Sequence, residues 1–581
     1  MADSQLRESI LIADCGSATT RVVLLDVVGG HYRFVARGQA PSTGEPPWSD
    51  VTTGLLHAIA EVEAVTERQI IGEKGRLLIP AQGPASGADL FVATTSAAPP
   101  LRTVLVGLMD DVSLASARRA ARSTYTTIVD VLSLADRRSE EQQVRQLVKL
   151  QPDLFLITGG TDGGAVERVL QLTETVAMVV SLLNNQLHSP TVVYAGNAAL
   201  RPLVADILAD AQWRAADNVR PQVEVEYLDS ARAELRSIYE TGRLLELPGA
   251  EELGHLADGA LMPAVTAFGW TVQYLGEVLG QKGNIIGVDV GSASLTLGAV
   301  INGRSHLTVR SDLGIGRHLP QLLEQVDLRQ VLRWLPREMS AGDLKDFVAN
   351  KALFPRTVPM TTDELHLELA LTRELIRVTA EPVLAAFPPR LGKSTKVLPS
   401  VEMIFASGAV LANAPRPGQA ALVLLDALQP VGLCTLALDT QGLAVALGAV
   451  ASVLPVAAVQ VFESGAFREL GGVVAPVGQA NPGEVILQLK MVYESGGELE
   501  VEVEYGALEV LPLPTGQRAE LKLRPLKRFD VGSGPGRSCR RQVYGGAVGL
   551  IVDARGRPLR LPADPVERQT RVQQWLWDLG G

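Results

Sequence analysis

Cysteine is scarce in this chain. Only Cys15, Cys434 and Cys539 occur in 581 residues, far apart and with no CxxC pair. That excludes a disulfide scaffold and makes a reducing, cytoplasmic setting the expectation. The seven histidines are scattered, with no HExxH and no paired Cys/His cluster, so no dedicated zinc site is expected. Aromatic residues amount to 4%, and cores must be built from Ala, Val and Leu. Positive charge is short as well: 53 basic residues against 64 acidic give a net −11. Such a balance argues against a general nucleic-acid coat protein and leaves a small local nucleotide site open. One long uncharged run, GLAVALGAVASVLPVAAVQVF at 442–462, is long enough to cross a bilayer. Pro455, the small residues and the lack of flanking bases favour a buried helix ending at Pro455 and then a strand, so no membrane span is expected. The polar start MADSQLRES runs straight into a strand pattern and does not read as a signal peptide.

What is present suits a folded protein of three or four domains: 46% hydrophobic and 20% charged residues. ILIADCGSATTRVVLLDVV reads as strand, tight turn, strand, and HYRFVARGQA as a third strand. Residues 50–71 have helical periodicity with Asp50 or Thr52 as cap. Strand patterns at 91–97, 153–157 and 191–195 alternate with helical ones, which means α/β. After a helical stretch near 230–280 the opening theme returns as NIIGVDVGSASLTLGAVING, 275 residues on, followed by a helical stretch at 340–387 and a strand and turn in VEMIFASGAVLAN. A duplicated α/β domain with a cleft between the copies follows. The expected divisions are residues 1–280, a first half with an inserted α/β subdomain, 281–464, a second half, and 465–581. In that last part the period-two alternation of VILQLKMVYES and ELEVEVEYGALEVLPL predicts an all-β domain before a short terminal helix starting near Pro565.

The paired Asp-x-Gly-Ser turns are the chemical signal. A tight turn rich in Gly, Ser and Thr presents backbone N–H groups and hydroxyls to an anion such as phosphate. Asp14 and Asp289 would stand at strand ends, where a carboxylate can hold a hydrated Mg2+ that bridges phosphate oxygens. A further small-residue turn, FASGAV at 405–410, follows a strand. It offers backbone against which a nucleoside can pack.

This combination resembles the actin-like ATPase superfamily, with its two ribonuclease H-like domains around a nucleotide cleft. Within it the sequence is similar to the MutL family of glutamate mutase accessory proteins. The likeness is carried by LIADCGSATTRVVLLD, GQAPSTGEPPWSDVTTGLLHAI, ATTSAAPPLRTVLVGL, LFLITGGTDGG, VVYAGNAAL, LMPAVTAFGW, IIGVDVGSASLT and LDTQGLAVALGAVA, over roughly residues 8–455. The resemblance implies ATP with Mg2+ in the cleft. It implies Asp14, Gly16, Ser17 and Thr19 as the first phosphate motif and Asp289, Gly291, Ser292 and Ser294 as the second. Ser407 and Gly408 would form the adenosine motif, and Asp14 and Asp289 would be the catalytic and metal-binding carboxylates. It implies an accessory or reactivating role toward a cobalamin-dependent carbon-skeleton mutase. The sequence departs from the family pattern at Ser292, Leu295 and Thr296 and at Ala406 and Ala409. A non-catalytic scaffold that self-assembles into a homo-oligomer and a small-molecule kinase therefore stand as alternatives.

Three further motifs carry two readings each. TGGTDGG at 158–164 offers amides to an anion or is a strand–helix turn, with Asp162 a ligand or a cap. Asn197 in YAGNAAL contacts a ligand at a sheet edge or caps a helix, the cap being the favoured reading. KRFDVGSGPGRSCRR at 527–541 concentrates basic residues on a Gly/Pro loop, either a solvated hairpin tip or a surface for an acidic partner.

Overall fold

The computed structural model describes residues 7–186, 188–257, 261–280, 283–384 and 400–580. The expectations for residues 1–6, 258–260 and 385–387 lie outside the described residues.

The apolar run of the opening forms β1 (Ser9–Cys15), which pairs antiparallel with β2 (Thr19–Val28), itself paired with β3 (His31–Pro41). Asp50 caps the helix Val51–Thr66 by accepting the Thr52 N–H at 2.9 Å. The helix stops earlier than its periodicity suggests, at Glu67 with φ +56°. β4 (Leu90–Thr95) then lies parallel to β1.

The chain next leaves this sheet for a parallel one. Its strands are β5 (Leu101–Val106), β6 (Thr126–Leu132), β7 (Leu154–Ile157), β8 (Thr191–Tyr194) and β9 (Gln212–Ala215), in the order β6-β5-β7-β8-β9. It returns as β10 (Leu261–Pro263), giving the first sheet the order β3-β2-β1-β4-β10. The second half repeats this order with β11 (Ile285–Val290), β12 (Leu295–Ile301), β13 (Arg304–Arg310), β14 (Met403–Ser407) and β15 (Gly432–Leu438), arranged β13-β12-β11-β14-β15. In each half the first three strands form an antiparallel meander and the fourth is parallel to the first. The repeated order is that of two actin-like halves.

The remaining strands divide between two sheets. β16 (Arg468–Ala475) pairs with β15 and so extends the sheet of the second half. β17 (Val485–Tyr493) and β18 (Glu498–Glu504) belong to a separate four-stranded antiparallel sheet, while β19 (Leu508–Leu511) returns to the larger one. β20 (Arg518–Pro525) and β21 (Cys539–Tyr544) complete the four-stranded sheet in the order β18-β17-β20-β21. β22 (Leu550–Asp553) joins β16 to β19. Leu487, Leu489, Leu521 and Leu523, at alternate positions of the small sheet, are buried with Val474 and Val552 of the large one, as the period-two pattern requires.

The two halves meet on a pair of crossed helices, Ala264–Val278 and Leu443–Ala451. A Cβ at Gly448 would sit 1.8 Å from the Ala267 carbonyl oxygen, so only glycine permits this crossing. The Thr271 hydroxyl donates to the Ala444 carbonyl at 2.6 Å across it. The long uncharged run thus resolves into two short helices. After Leu443–Ala451, Pro455 opens a second helix, Pro455–Glu463, in place of the expected strand, because proline at the first helical position has no N–H to lose. Among the described residues no helix is long and apolar enough to cross a membrane.

Candidate functional site

Above the crossed helices lies a cavity of about 530 Å³. Such a volume suits a small-molecule or cofactor site. The two Asp-x-Gly turns form opposite sides of it. Asp14, Gly16, Ser17 and Thr19 line it from the β1–β2 turn, and Asp289, Gly291, Ser292 and Ser294 line it from the β11–β12 turn.

The turns have the same internal geometry. The Gly16 N–H donates to the Thr19 carbonyl at 3.1 Å, and the Gly291 N–H to the Ser294 carbonyl at 3.0 Å. Each turn leaves the next two amides, those of Ser17 and Ala18 and of Ser292 and Ala293, without a hydrogen bond among the described residues, and all four residues line the cavity. Successive free amides of this kind make an anion-binding concavity.

The carboxylates are held alike. Asp14 accepts the Thr94 hydroxyl at 2.9 Å from the neighbouring strand β4. Asp289 has Ser407 as its partner on β14. Burial pushes the Asp14 carboxyl up, against the pull of Arg21 and Thr94. Burial and then the charge of Asp14 push Asp289 up to about 6, against Arg21 and Ser407. The two acids therefore lie close enough to repel each other. Arg21 stands opposite Asp14 in the β1–β2 register, lines the cavity and acts on both acids.

Ser407 does not line the cavity. It is buried, and its hydroxyl donates to Asp439 at 3.4 Å. Gly408 does line it, with φ +106° and a Cβ position 2.3 Å from the Val290 carbonyl oxygen. Glycine there lets the third turn press against the second Asp-x-Gly turn. Leu295 points into the core of the second half, so its departure from the family pattern costs the cavity no polar group. Thr296 stands opposite Asp289 in register, where the first half has Arg21 opposite Asp14.

Four polar groups at or beside the cavity were not singled out from the sequence. Arg21 follows from hairpin arithmetic, since a turn at Gly16–Thr19 pairs residue 14 with residue 21. Asp439 closes the strand of the LDTQG motif and accepts four amide hydrogens, from Gln441, Gly442, Leu443 and Ala444 at 2.7–3.1 Å. It fixes the start of the crossed helix Leu443–Ala451. Lys351 and Glu368 form a buried ion pair of 2.6 Å in the cavity wall. Lys351 also donates to the Thr357 carbonyl and so holds the loop that carries Val358 and Met360 to the cavity. Nothing local in the sequence marks this pair, because its members are far apart on two helices.

In the other two glycine motifs the polar side chains hold the local backbone. Asp162 accepts the Ala198 N–H at 3.0 Å and the Asn218 amide at 2.8 Å. Asn197 caps the turn Ala198–Leu200 and accepts the Gly163 N–H at 3.2 Å. Cys15 is buried in the first turn, its thiol pushed up to about 12 by burial and by Asp14.

Two carboxylates with facing hydroxyls form a hard-oxygen donor set, which fits Mg2+. A divalent cation would relieve the mutual repulsion of Asp14 and Asp289. No group of three or more His, Cys, Asp or Glu suited to a metal occurs among the described residues. A Mg2+ here would rest on one or two carboxylates, waters and ligand phosphates, its usual coordination.

The sequence model of the family described as MutL protein matches residues 10–465. Protein MutL of Clostridium tetanomorphum is 24% identical over 439 residues, covering 71% of this chain and 88% of the relative. Among solved structures, nucleotide-free acetone carboxylase gives a TM-score of 0.32 at 13% identity, over 86% of this chain and 81% of the other. ATP-dependent caprolactamase from Pseudomonas jessenii gives 0.32 at 14%, over 85% and 81%. Xylulose kinase from Bifidobacterium adolescentis gives 0.26 at 12%, over 79% and 94%. The fold rests on the repeated strand order and not on these scores.

Proposed function

The chain belongs to the MutL protein family, and from that premise we propose that it binds Mg·ATP in the cleft and serves as an accessory or reactivating factor for a cobalamin-dependent carbon-skeleton mutase. The observation that carries the reading is the pair of like turns facing each other across one cavity, with Asp14 and Asp289 at its floor. The free amides of Ser17, Ala18, Ser292 and Ala293 would take phosphate oxygens from both sides. Asp14 and Asp289 would hold Mg2+, which supplies charge neutralisation at the phosphates when bound. Gly408 and the wall formed by Val358, Met360 and Val410 would pack against the nucleoside. Closing both turns on one ligand moves the halves about the Gly448 crossing, and a partner seated on both halves feels that motion.

The test is ATP turnover by the full chain, alone and with a purified cobalamin mutase that has been inactivated by turnover. The reading expects turnover to rise with the mutase and mutase activity to return only when ATP is present. Turnover indifferent to the mutase contradicts the accessory role. A second reading, a nucleotide-binding scaffold that does not hydrolyse ATP, has one observation in its favour: Arg21 already supplies positive charge to both carboxylates. Tight Mg·ATP binding with no turnover under any condition would favour it.

A further inference from the structure

The four-stranded sheet β18-β17-β20-β21 has two open edges among the described residues, where β18 pairs only with β17 and β21 only with β20. Its outer face is charged in an ordered way. β18 presents Glu498, Glu500, Glu502 and Glu504, all exposed, at every second position. Lys490 is the one cation paired with them among the described residues, at 2.7 Å from Glu498 and 2.8 Å from Glu500. The opposite edge is basic. Lys522 and Arg524 of β20 and Arg540 of β21 share this face and have no carboxylate partner among the described residues, while Arg541, opposite Leu521, lies on the other face of the same edge strand.

The registers align these charges in a row. Glu500 stands opposite Lys490, Lys490 opposite Lys522, and Lys522 opposite Arg540. Three cations therefore sit side by side across adjacent strands, an arrangement that destabilises a sheet by about 0.2–1 kcal/mol per like pair. A groove of about 770 Å³ runs along this face between the acidic and basic columns. Edge strands expose unpaired N–H and C=O groups that template a further strand.

We propose that this sheet is a self-association surface, with the acidic edge β18 of one copy laid along the basic edge β21 of the next. The row then continues from Arg540 into Glu500 of the second copy, and the run of like charges is ended by an acid. The occupant is argued from charge: both halves of the complementary pair belong to this one sheet. The contact is head-to-tail, so it generates rings or open chains rather than a two-fold dimer. It is one strand wide and carried by exposed charge, so it is weak and salt-sensitive. The basic loop read from the sequence at 527–541 leads into this edge.

Sedimentation velocity on the full chain over a range of concentrations tests the proposal. The mean mass is expected to rise with concentration at low salt and to return to the monomer at about 0.5 M salt, where charges are screened within about 5 Å. Two variants block one edge each: Glu498→Gln with Glu500→Gln and Glu502→Gln, and Arg540→Gln with Arg541→Gln. Each alone is expected to stay monomeric with an unchanged melting temperature. Mixed one to one, they are expected to form a dimer and nothing larger, because only one link remains possible. A monomer at all concentrations overturns the proposal, as does association that both variants retain. A monomer that instead captures a glutamate-rich peptide through Arg540 and Arg541 overturns the second copy as occupant.

Discussion

Asp289 shows the tension that a buried acid in the proposed nucleotide site places on the fold. Its carboxyl is raised to about 6 from an ordinary 3.8, first by burial and then by Asp14. Between those two values the folded chain binds the proton more tightly than the unfolded chain does. Stability therefore falls as pH rises through that window and stays lower above it. Asp289→Asn is expected to raise the melting temperature of the ligand-free chain at pH 7, by the equivalent of about 1–3 kcal/mol, while removing Mg·nucleotide binding. Thermal melts at pH 7 and pH 4 check it, since the gain must shrink in acid. At Gly408 the constraint is steric. Gly408→Ala puts a methyl 2.3 Å from the Val290 carbonyl at φ +106°, and a loss of about 1–3 kcal/mol is expected. Asp14, Gly16 and the second turn were legible because both copies share one spelling. Arg21 was legible only through strand register. Of the third turn, Gly408, Ala409 and Val410 line the cavity, while Ser407 sits just behind it between Asp289 and Asp439.

At the scale of elements, periodicity told strand from helix well where a single face is buried. It failed at Pro455, where a uniformly apolar stretch gives no periodic signal and the proline begins a helix. It also could not assign β16, β19 and β22 to the sheet of the second half, since alternation reports which face is buried and not which neighbour pairs. An ion pair that latches the two halves together was equally hidden. Arg317 of the second half pairs with Glu45 of the first, both about half exposed. An exposed pair contributes less than about 1 kcal/mol to stability. Arg317→Ala is therefore expected to leave the melting temperature nearly unchanged and to speed nucleotide release. Stopped-flow dissociation of a fluorescent ATP analogue measures this, and an unchanged off-rate would remove the latch from the account.

At the scale of the whole molecule, the second half and the C-terminal segment are tied together by a buried ionic network that no local pattern announces. Asp426 and Asp553 are joined by Arg555 at 2.9 Å to each, with Arg373 on Asp426 at 2.8 Å and Arg557 on Asp553 at 2.7 Å. It connects the helices Thr362–Leu384 and Pro417–Leu428 to the end of β22. Burial alone would raise the Asp553 carboxyl, and the two guanidiniums outweigh it and hold it well below the carboxylate range. This contribution is present above the ordinary carboxylate value and is lost only in strong acid. Asp553→Ala leaves buried cations unpaired, and a loss of about 3–5 kcal/mol is expected in denaturant titrations.

All of this serves one cleft, and the central claim is that its two turns grip a single nucleotide. Isothermal titration calorimetry of the full chain with Mg·ATP tests that most directly, with Asp14→Asn and Asp289→Asn as controls that retain the fold. The account predicts one ATP bound per chain, lost in both variants. No heat of binding in the parent chain, or equal binding in all three proteins, would contradict it.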